Sequence, residues 1–331
     1  MRPRGLYALS PDAFDRIYGE AERSDIAALV QVEDVPQTAQ TVADNPKMLD
    51  GVEVILSGWG APVMDDAFLE AAGELRAIFY GAGSVRPFVT DALWERDVLV
   101  VSAYSANAVP VSEYALAAIL FSLKRGWHLA AAVRERRSFP PVSGLPGAFG
   151  STVGIVSLGA TGRMLRERLT PFDVRVVAHD PYVTQQEASR LGVEPMTLDR
   201  IFREADVVSL HTPWLPETEG MIQGSHLASM KPGATFVNTS RGAVVMEAEM
   251  ISVLKDRPDL TAVLDVTRPE PPEPDSPLYD MPNVVLTPHI AGSQGDECRR
   301  MGRLVVEELR RYVAGEPLQH EITRERAAVM A

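Results

Sequence analysis

Thr152-Val153-Gly154-Ile155-Val156-Ser157-Leu158-Gly159-Ala160-Thr161-Gly162 reads as a short buried β-strand, Val153–Leu158, running into a glycine turn. A helix opens next with Arg163-Met164-Leu165-Arg166-Glu167-Arg168-Leu169, and a second apolar strand, Val174–Ala178, leads to an acid, Asp180. Strand, glycine turn, helix, strand and terminal acid in that order make a dinucleotide-binding unit. Gly159 and Gly162 let the backbone approach a pyrophosphate, and free N–H groups at the helix start, around Ala160 and Thr161, donate to its oxygens. Asp180 can accept from ribose hydroxyls. The glycine fingerprint has one fault: its first position is Ser157. Alone, so degenerate a motif is matched by any glycine turn of an α/β protein; the ordered context and Asp180 favour the nucleotide.

The rest of the chain bounds the answer. At 331 residues it is longer than one typical domain, so two are expected. A formal charge of −13 argues against a nucleic-acid or acidic-membrane surface, which needs clustered Lys and Arg. The local basic cluster, Arg134, Arg136 and Arg137, follows a long helical pattern and there complements a helix C-terminus. A single cysteine, Cys298, excludes an internal disulfide and fits a reducing, cytoplasmic compartment. It lies near the apolar stripe of a helical pattern, so a buried inert thiol is expected. The N-terminus lacks the apolar core of a signal peptide, and no apolar run is expected to span a bilayer. No metal site is expected.

Short strands and helices alternate through the first hundred residues. Leu6–Leu9, Ile26–Val32, Val52–Leu56, Leu75–Phe79 and Val98–Ser102 read as strands, with helices at Pro11–Gly19, Asp65–Ala72 and Thr90–Arg96. The order predicts a parallel sheet covered on both faces. Tyr80-Gly81-Ala82-Gly83-Ser84 follows a strand and leaves N–H groups free for an anion, though a plain tight turn reads equally well. Val111–Arg137 is the longest helical pattern; its run Tyr114–Phe121 is apolar all round and must be buried on more than one side, at a domain junction or subunit interface.

From Val153 the β/α rhythm returns, with strands at Val153–Leu158, Val174–Ala178, Asp206–Leu210, Ala234–Asn238, Leu260–Leu264 and Val284–Thr287, and a short extra one near Val193–Met196. Ligands of such sheets sit beyond the carboxyl ends of the strands. That edge carries Thr212 and Pro213 after His211, Thr239 and Ser240 before Arg241, Asp265, and His289. Arg241 offers a planar fork that matches a carboxylate. His289 is the side chain best suited to exchange a proton near neutral pH. Glu270 lies in a proline-rich stretch, and spacing alone does not choose it over Glu273. The final helix, about Asp296–Val313, can return to the first domain and make it discontinuous.

The run from Tyr80 to Gly292 resembles the D-isomer-specific 2-hydroxyacid dehydrogenase family. Besides the glycine loop, the likeness is carried by Asn107-Ala-Val-Pro-Val-Ser-Glu-Tyr-Ala115, His211-Thr-Pro-Trp-Leu-Pro-Glu-Thr-Glu219, Met230–Gly242, Leu264–Glu270 and Leu286–Gly292, in the family's order. The resemblance implies two doubly wound parallel-sheet α/β domains: a flavodoxin-like substrate domain, 1–103 plus 292–331, and a Rossmann NAD-binding domain, 104–291. It implies a small 2-hydroxy or 2-oxo acid as substrate, NAD as cofactor, and a homodimer paired through the region of the helix beginning near Val111, with no nucleic-acid or membrane partner. Arg241 would hold the substrate carboxylate and carbonyl, His289 would be the acid/base, and Glu270 its partner. Asp265 would contact the nicotinamide amide, Gly81, Ala82, Gly83 and Ser84 would form the substrate-carboxylate loop, and Asn107 would line the cleft.

Two departures stand out. Ser157 replaces the first fingerprint glycine, so a tighter pyrophosphate turn or weaker cofactor binding is expected. Met246 stands where the family usually has Asp or Asn, so a helix cap is expected to be lost. His211 is expected to be structural. The rival readings are a catalytically silent NAD-binding regulator and a dehydrogenase of another small anion such as phosphite. Substrate side-chain contacts are expected around Ser57-Gly-Trp-Gly60 and Tyr104.

Overall fold

The computed structural model describes residues 2–330. The chain divides into two compact units, Met1–Ala108 with Ser293–Ala331, and Val109–Gly292. The first joint falls at Ala108/Val109 rather than at 103/104, because the helix Tyr104–Leu123 runs through it. Pro110, just past the joint, cannot donate the helical hydrogen bond of its position.

The first unit holds four parallel strands, β1 (Gly5–Ala8), β2 (Val54–Ser57), β3 (Ala77–Tyr80) and β4 (Leu99–Ser102), in the order β1-β2-β3-β4. Each residue of β2 and β3 is buried, as a parallel sheet covered on both faces requires. One face packs Phe14, Ile17 and Phe79 with Met301, Val305 and Leu309 of the returning helix Cys298–Ala314; the other packs Ile55, Ile78, Phe68 and Phe88. Cys298 is fully buried in that helix, where burial raises its thiol pKa.

The expected strand Ile26–Val32 is not one. Glu20–Leu29 is a helix, whose Gly19 N–H donates to Glu22 Oε2 (3.0 Å). Its buried positions are Glu22, Ile26 and then Val30, a helical spacing hidden because one member is an acid. Glu22 tolerates burial because Arg303 Nε lies 2.7 Å away. What remains of the strand is two parallel single-residue bridges on the free edge of β1, Gln31 with Arg4 and Gln37 with Ala8. They keep the flavodoxin-like strand order in outline.

The second unit is a seven-stranded parallel sheet, β11-β10-β9-β8-β5-β6-β7. Its strands are β5 (Thr152–Val156), β6 (Arg175–His179), β7 (Glu194–Pro195), β8 (Val207–Leu210), β9 (Thr235–Asn238), β10 (Thr261–Leu264) and β11 (Val284–Leu286). From β5 the chain builds outward to β7, then returns to β8 on the other side. The order therefore reverses between β5 and β8, where such sheets bind ligands. The helix after β5 begins at Ala160, earlier than the Arg163 expected from its apolar pattern. The fold class is two parallel α/β units.

Two further expectations are corrected. Val111–Arg137 is not one helix but two, Tyr104–Leu123 and Gly126–Arg136, broken where Arg125 turns to φ 49°. The Phe121 and Trp127 rings meet edge to face across the break, centroids 4.5 Å apart. Tyr104–Leu123 is also long and apolar enough to cross a membrane on length and composition, with a mean hydropathy of 1.4, contrary to the expectation that no run is. Of that window 56% is buried within the protein, with Ala115, Ala118, Ile119 and Leu123 in the second unit's core. It is a core helix.

Candidate active site

The carboxyl edge of the second sheet gathers the residues singled out above. At the end of β5 the chain turns through Ser157, at φ 75°. A non-glycine residue in this region costs on the order of 1 kcal/mol. It is held there by its N–H to His179 O (2.8 Å) and its hydroxyl, 2.9 Å from Thr212 Oγ1. Gly162 is fixed by contact: a methyl there would fall 2.2 Å from Ser157 O. So the first fingerprint position accepts a serine, while the last accepts only glycine.

The turn fits a dinucleotide. A methyl built on Gly159 meets nothing within 4 Å, so the space before the helix is open. The helix's ladder begins with Arg163 N–H to Gly159 O, leaving the N–H groups of Ala160, Thr161 and Gly162 outside it. Asp180 is tied to this turn: Oδ2 accepts from Leu158 N (2.7 Å) and Oδ1 from Tyr182 N (2.8 Å). At neighbouring strand ends, His211 Nδ1 and Thr239 Oγ1 are buried without a partner, as polar atoms are when a polar ligand satisfies them. Burial lowers the His211 pKa to about 4, and its Nε2 lies 2.9 Å from Ser209 Oγ. No group of three or more potential metal ligands occurs among the described residues.

Arg241 follows β9. Asn238, buried at the strand end, ties the turn: its Oδ1 accepts from Ser240 N (3.0 Å) and Ser240 Oγ (2.9 Å), and its Nδ2 donates to Arg241 O (3.2 Å). Burial lowers the Arg241 pKa, and the nearby Glu270 charge opposes that shift. Gly242 lets this turn lie directly on the chain leading to Glu270, since a methyl at Gly242 would fall 2.1 Å from Thr267 C and O.

His289 follows β11 with φ 52°, another strained position. Its Nδ1 lies 2.5 Å from Glu270 Oε1, which leaves Nε2 as the free ring nitrogen. The choice between Glu270 and Glu273 that spacing left open is made by this contact. The His289 turn is built around Asp265, which is 2% exposed. Asp265 Oδ1 accepts from Thr287 Oγ1 (2.6 Å) and Ile290 N (2.8 Å), and Oδ2 from Ala291 N (2.8 Å). Its main-chain carbonyl accepts from His289 N (3.0 Å). Tyr114 Oη completes the set, 2.8 Å from Thr287 Oγ1. Asn238, Thr287 and Tyr114 escaped the sequence reading because they act only on other residues. The Asx-type spacing of Asn238 to Ser240 was the one local signal.

The remaining candidates belong to the first unit. Gly81, Ala82, Gly83 and Ser84 follow β3, and Ser102 Oγ donates to Gly83 O (2.5 Å). Asn107 Nδ2 would lie 3.6 Å from a methyl on Gly83, and Asn107 Oδ1 accepts from Ser293 N (3.0 Å).

Known proteins bear on this geometry. Residues 116–291 match the family described as D-isomer specific 2-hydroxyacid dehydrogenase, NAD binding domain. The chain is similar to D-3-phosphoglycerate dehydrogenase of Mycobacterium tuberculosis (strain ATCC 25618 / H37Rv), 38% identical over 77% of this chain and 48% of that protein. The chain thus spans about half the length of that relative. It is also similar to (S)-sulfolactate dehydrogenase of Chromohalobacter salexigens, 33% identical over 85% of this chain and 94% of that one. In fold it resembles D-mandelate dehydrogenase of Rhodotorula graminis, with TM-score 0.80, 24% identity and 98% of both chains covered. An NAD-binding turn, a histidine paired with a glutamate and a half-buried arginine thus occur in a chain that belongs to the D-isomer specific 2-hydroxyacid dehydrogenase family.

Proposed function

We propose that the protein interconverts a small 2-hydroxy acid and its 2-oxo acid with NAD, using His289 as acid/base. The observation that carries this reading is the 2.5 Å contact of His289 Nδ1 with Glu270, with the half-buried Arg241 close enough to feel the Glu270 charge. NAD, when bound, supplies the hydride acceptor. Ala160, Thr161 and Gly162 offer N–H groups to its pyrophosphate, Asp180 faces its ribose, and Thr212, Pro213, Thr239, Ser240 and Asp265 sit at the strand ends around it. Arg241 holds the substrate carboxylate and carbonyl in a fork that never loses its charge. His289 Nε2 takes the hydroxyl proton in oxidation and returns it in reduction. Glu270 fixes the ring through Nδ1 and faces the charge it acquires.

The other unit is the substrate domain in this reading, with the Gly81–Ser84 loop presenting N–H groups to the carboxylate and Asn107 beside it. The two sequence relatives named above act, by their names, on a phosphorylated and a sulfonated hydroxy acid, which supports a substrate of this size. We place the enzyme in the cytoplasm, as a homodimer with no nucleic-acid or membrane partner. The test is NADH oxidation with a panel of 2-oxo acids. His289→Asn and Arg241→Gln should each lower kcat/KM by about 10²-fold or more, while NAD binding persists. NADH binding without turnover of any 2-oxo acid would instead identify a silent NAD-binding protein.

A further inference from the structure

A contiguous row of side chains in the first unit joins the Gly81–Ser84 loop to a cation. Asn107, beside Gly83, holds Ser293 N, and the next residue, Gln294, has its Oε1 3.5 Å from Arg16 Nη1. On the inner side, Ile17, the neighbour of Arg16, packs under the loop: a methyl on Gly81 would fall 2.7 Å from Ile17 Cγ2. Arg16 itself stacks on Trp59, its Cζ 5.1 Å from the ring centroid. Trp59 belongs to Ser57-Gly-Trp-Gly60, which begins at the last residue of β2 and carries no charge of its own.

The guanidinium is underused. Asp12 pairs with Nη2 at 2.7 Å from an exposed position, Nη1 reaches Gln294 only at the limit of a hydrogen bond, and Nε is buried without a partner. A stacked, half-buried arginine with spare donors is suited to an oxyanion that can use both arms of its fork. A second stacked cation of this unit, Arg326, lies over the Tyr104 ring, but it is exposed and committed to the Tyr104 hydroxyl and Glu321 O.

We propose that Arg16 selects substrates carrying a second anionic group on C3, a phosphate ester, sulfonate or carboxylate, with Trp59 fixing the guanidinium plane. This rests on the 2-oxo acid reading of the site and names its substrate class. With the carboxylate on the Gly81–Ser84 loop, the far end of the acid runs along the Asn107–Gln294 row to Arg16. There its charge displaces Asp12.

The experiment compares NADH oxidation with pyruvate, 3-sulfopyruvate, 3-phosphohydroxypyruvate and oxaloacetate, using the 331-residue chain. At least one doubly charged acid should exceed pyruvate in kcat/KM, and which one tells phosphate, sulfonate and carboxylate apart. Arg16→Gln should raise KM for that acid by about 10–100-fold, the worth of a hydrogen bond to a charged group, and leave KM for pyruvate nearly unchanged. Asp12→Asn should act in the opposite sense, lowering KM for the doubly charged acid by freeing the fork; this arm holds even if Arg16→Gln folds poorly. Pyruvate turnover equal to or above that of every charged acid would overturn the assignment. So would equal KM changes for both classes in Arg16→Gln, or a selective loss in Arg326→Gln instead. Turnover of no 2-oxo acid at all would overturn the reading of the site beneath it.

Discussion

At the scale of single residues, His289 concentrates the tension between stability and use. Its backbone sits at φ 52°, where a non-glycine L-residue pays on the order of 1–2 kcal/mol, and its ring is far from buried. Nothing in its own packing holds it. The turn is kept by Asp265, whose carboxylate accepts three hydrogen bonds, two of them from the backbone on the far side of His289. His211 shows the opposite use of burial. Its pKa is lowered from 6.5 to about 4 by desolvation alone. Between those values the unfolded chain binds a proton that the folded one refuses, so stability rises with pH across that window. As pH falls from 6.5 to 4, the folded state should lose on the order of 3 kcal/mol from this group. Urea unfolding of wild type and His211→Asn at several pH values checks this; the variant should show a shallower slope from pH 6.5 to 4.

At the scale of elements, caps and turns set where the site residues stand. Helix Glu247–Asp256 begins at Met246, which makes no side-chain cap hydrogen bond, although Glu247 and Glu249 lie in its first turn. Other helices carry side-chain caps: Ser10, Thr38, Asp65, Thr90 and Thr184 each accept from a first-turn N–H. Met246→Asp should therefore add about 1 kcal/mol of stability, read as a raised urea midpoint at unchanged slope. Activity should not change, since the Met246 sulfur lies beside Gly220 and Met246 is not among the residues assigned to the reaction. A lower midpoint would mean the Met246 side chain contributes packing that outweighs a cap.

At the scale of the whole molecule, the segment around the broken helix is left uncovered by its own chain. Helix Gly126–Arg136 has no buried residue, and Phe139 and Phe149 are 91% and 85% exposed, with Phe121 and Val142 nearby also exposed. Large aromatics at that exposure, clustered in one stretch, mark an interaction surface. A two-fold dimer would cover them with their own copies. Light scattering on a sizing column should give twice the 36.1 kDa chain mass, and Phe139→Glu with Phe149→Glu should return the single-chain mass. A wild-type monomer at micromolar concentration would refute the dimer.

How much of this was legible from residues alone follows from what each feature depends on. The β/α rhythm, the strand ends and the fingerprint turn are local: apolar runs, glycines and a terminal acid lie within a few residues of the groups they position. Arg241 and His289 could be shortlisted because a parallel sheet brings every strand's carboxyl end to one edge, whatever the details of packing. Buried Glu22 disguised a helix as a strand, since its burial depends on Arg303, distant in sequence. The choice of Glu270 over Glu273, the tolerance of serine at 157 and the need for glycine at 242 were decided by contacts across the fold. So was the role of Asp265, whose partners lie more than twenty residues on. Sequence by itself determined which chemistry arrives at the edge, because alternation is a short-range property. Only the tertiary structure decided which neighbours hold that chemistry in place, because close approach and paired charge arise when distant segments meet.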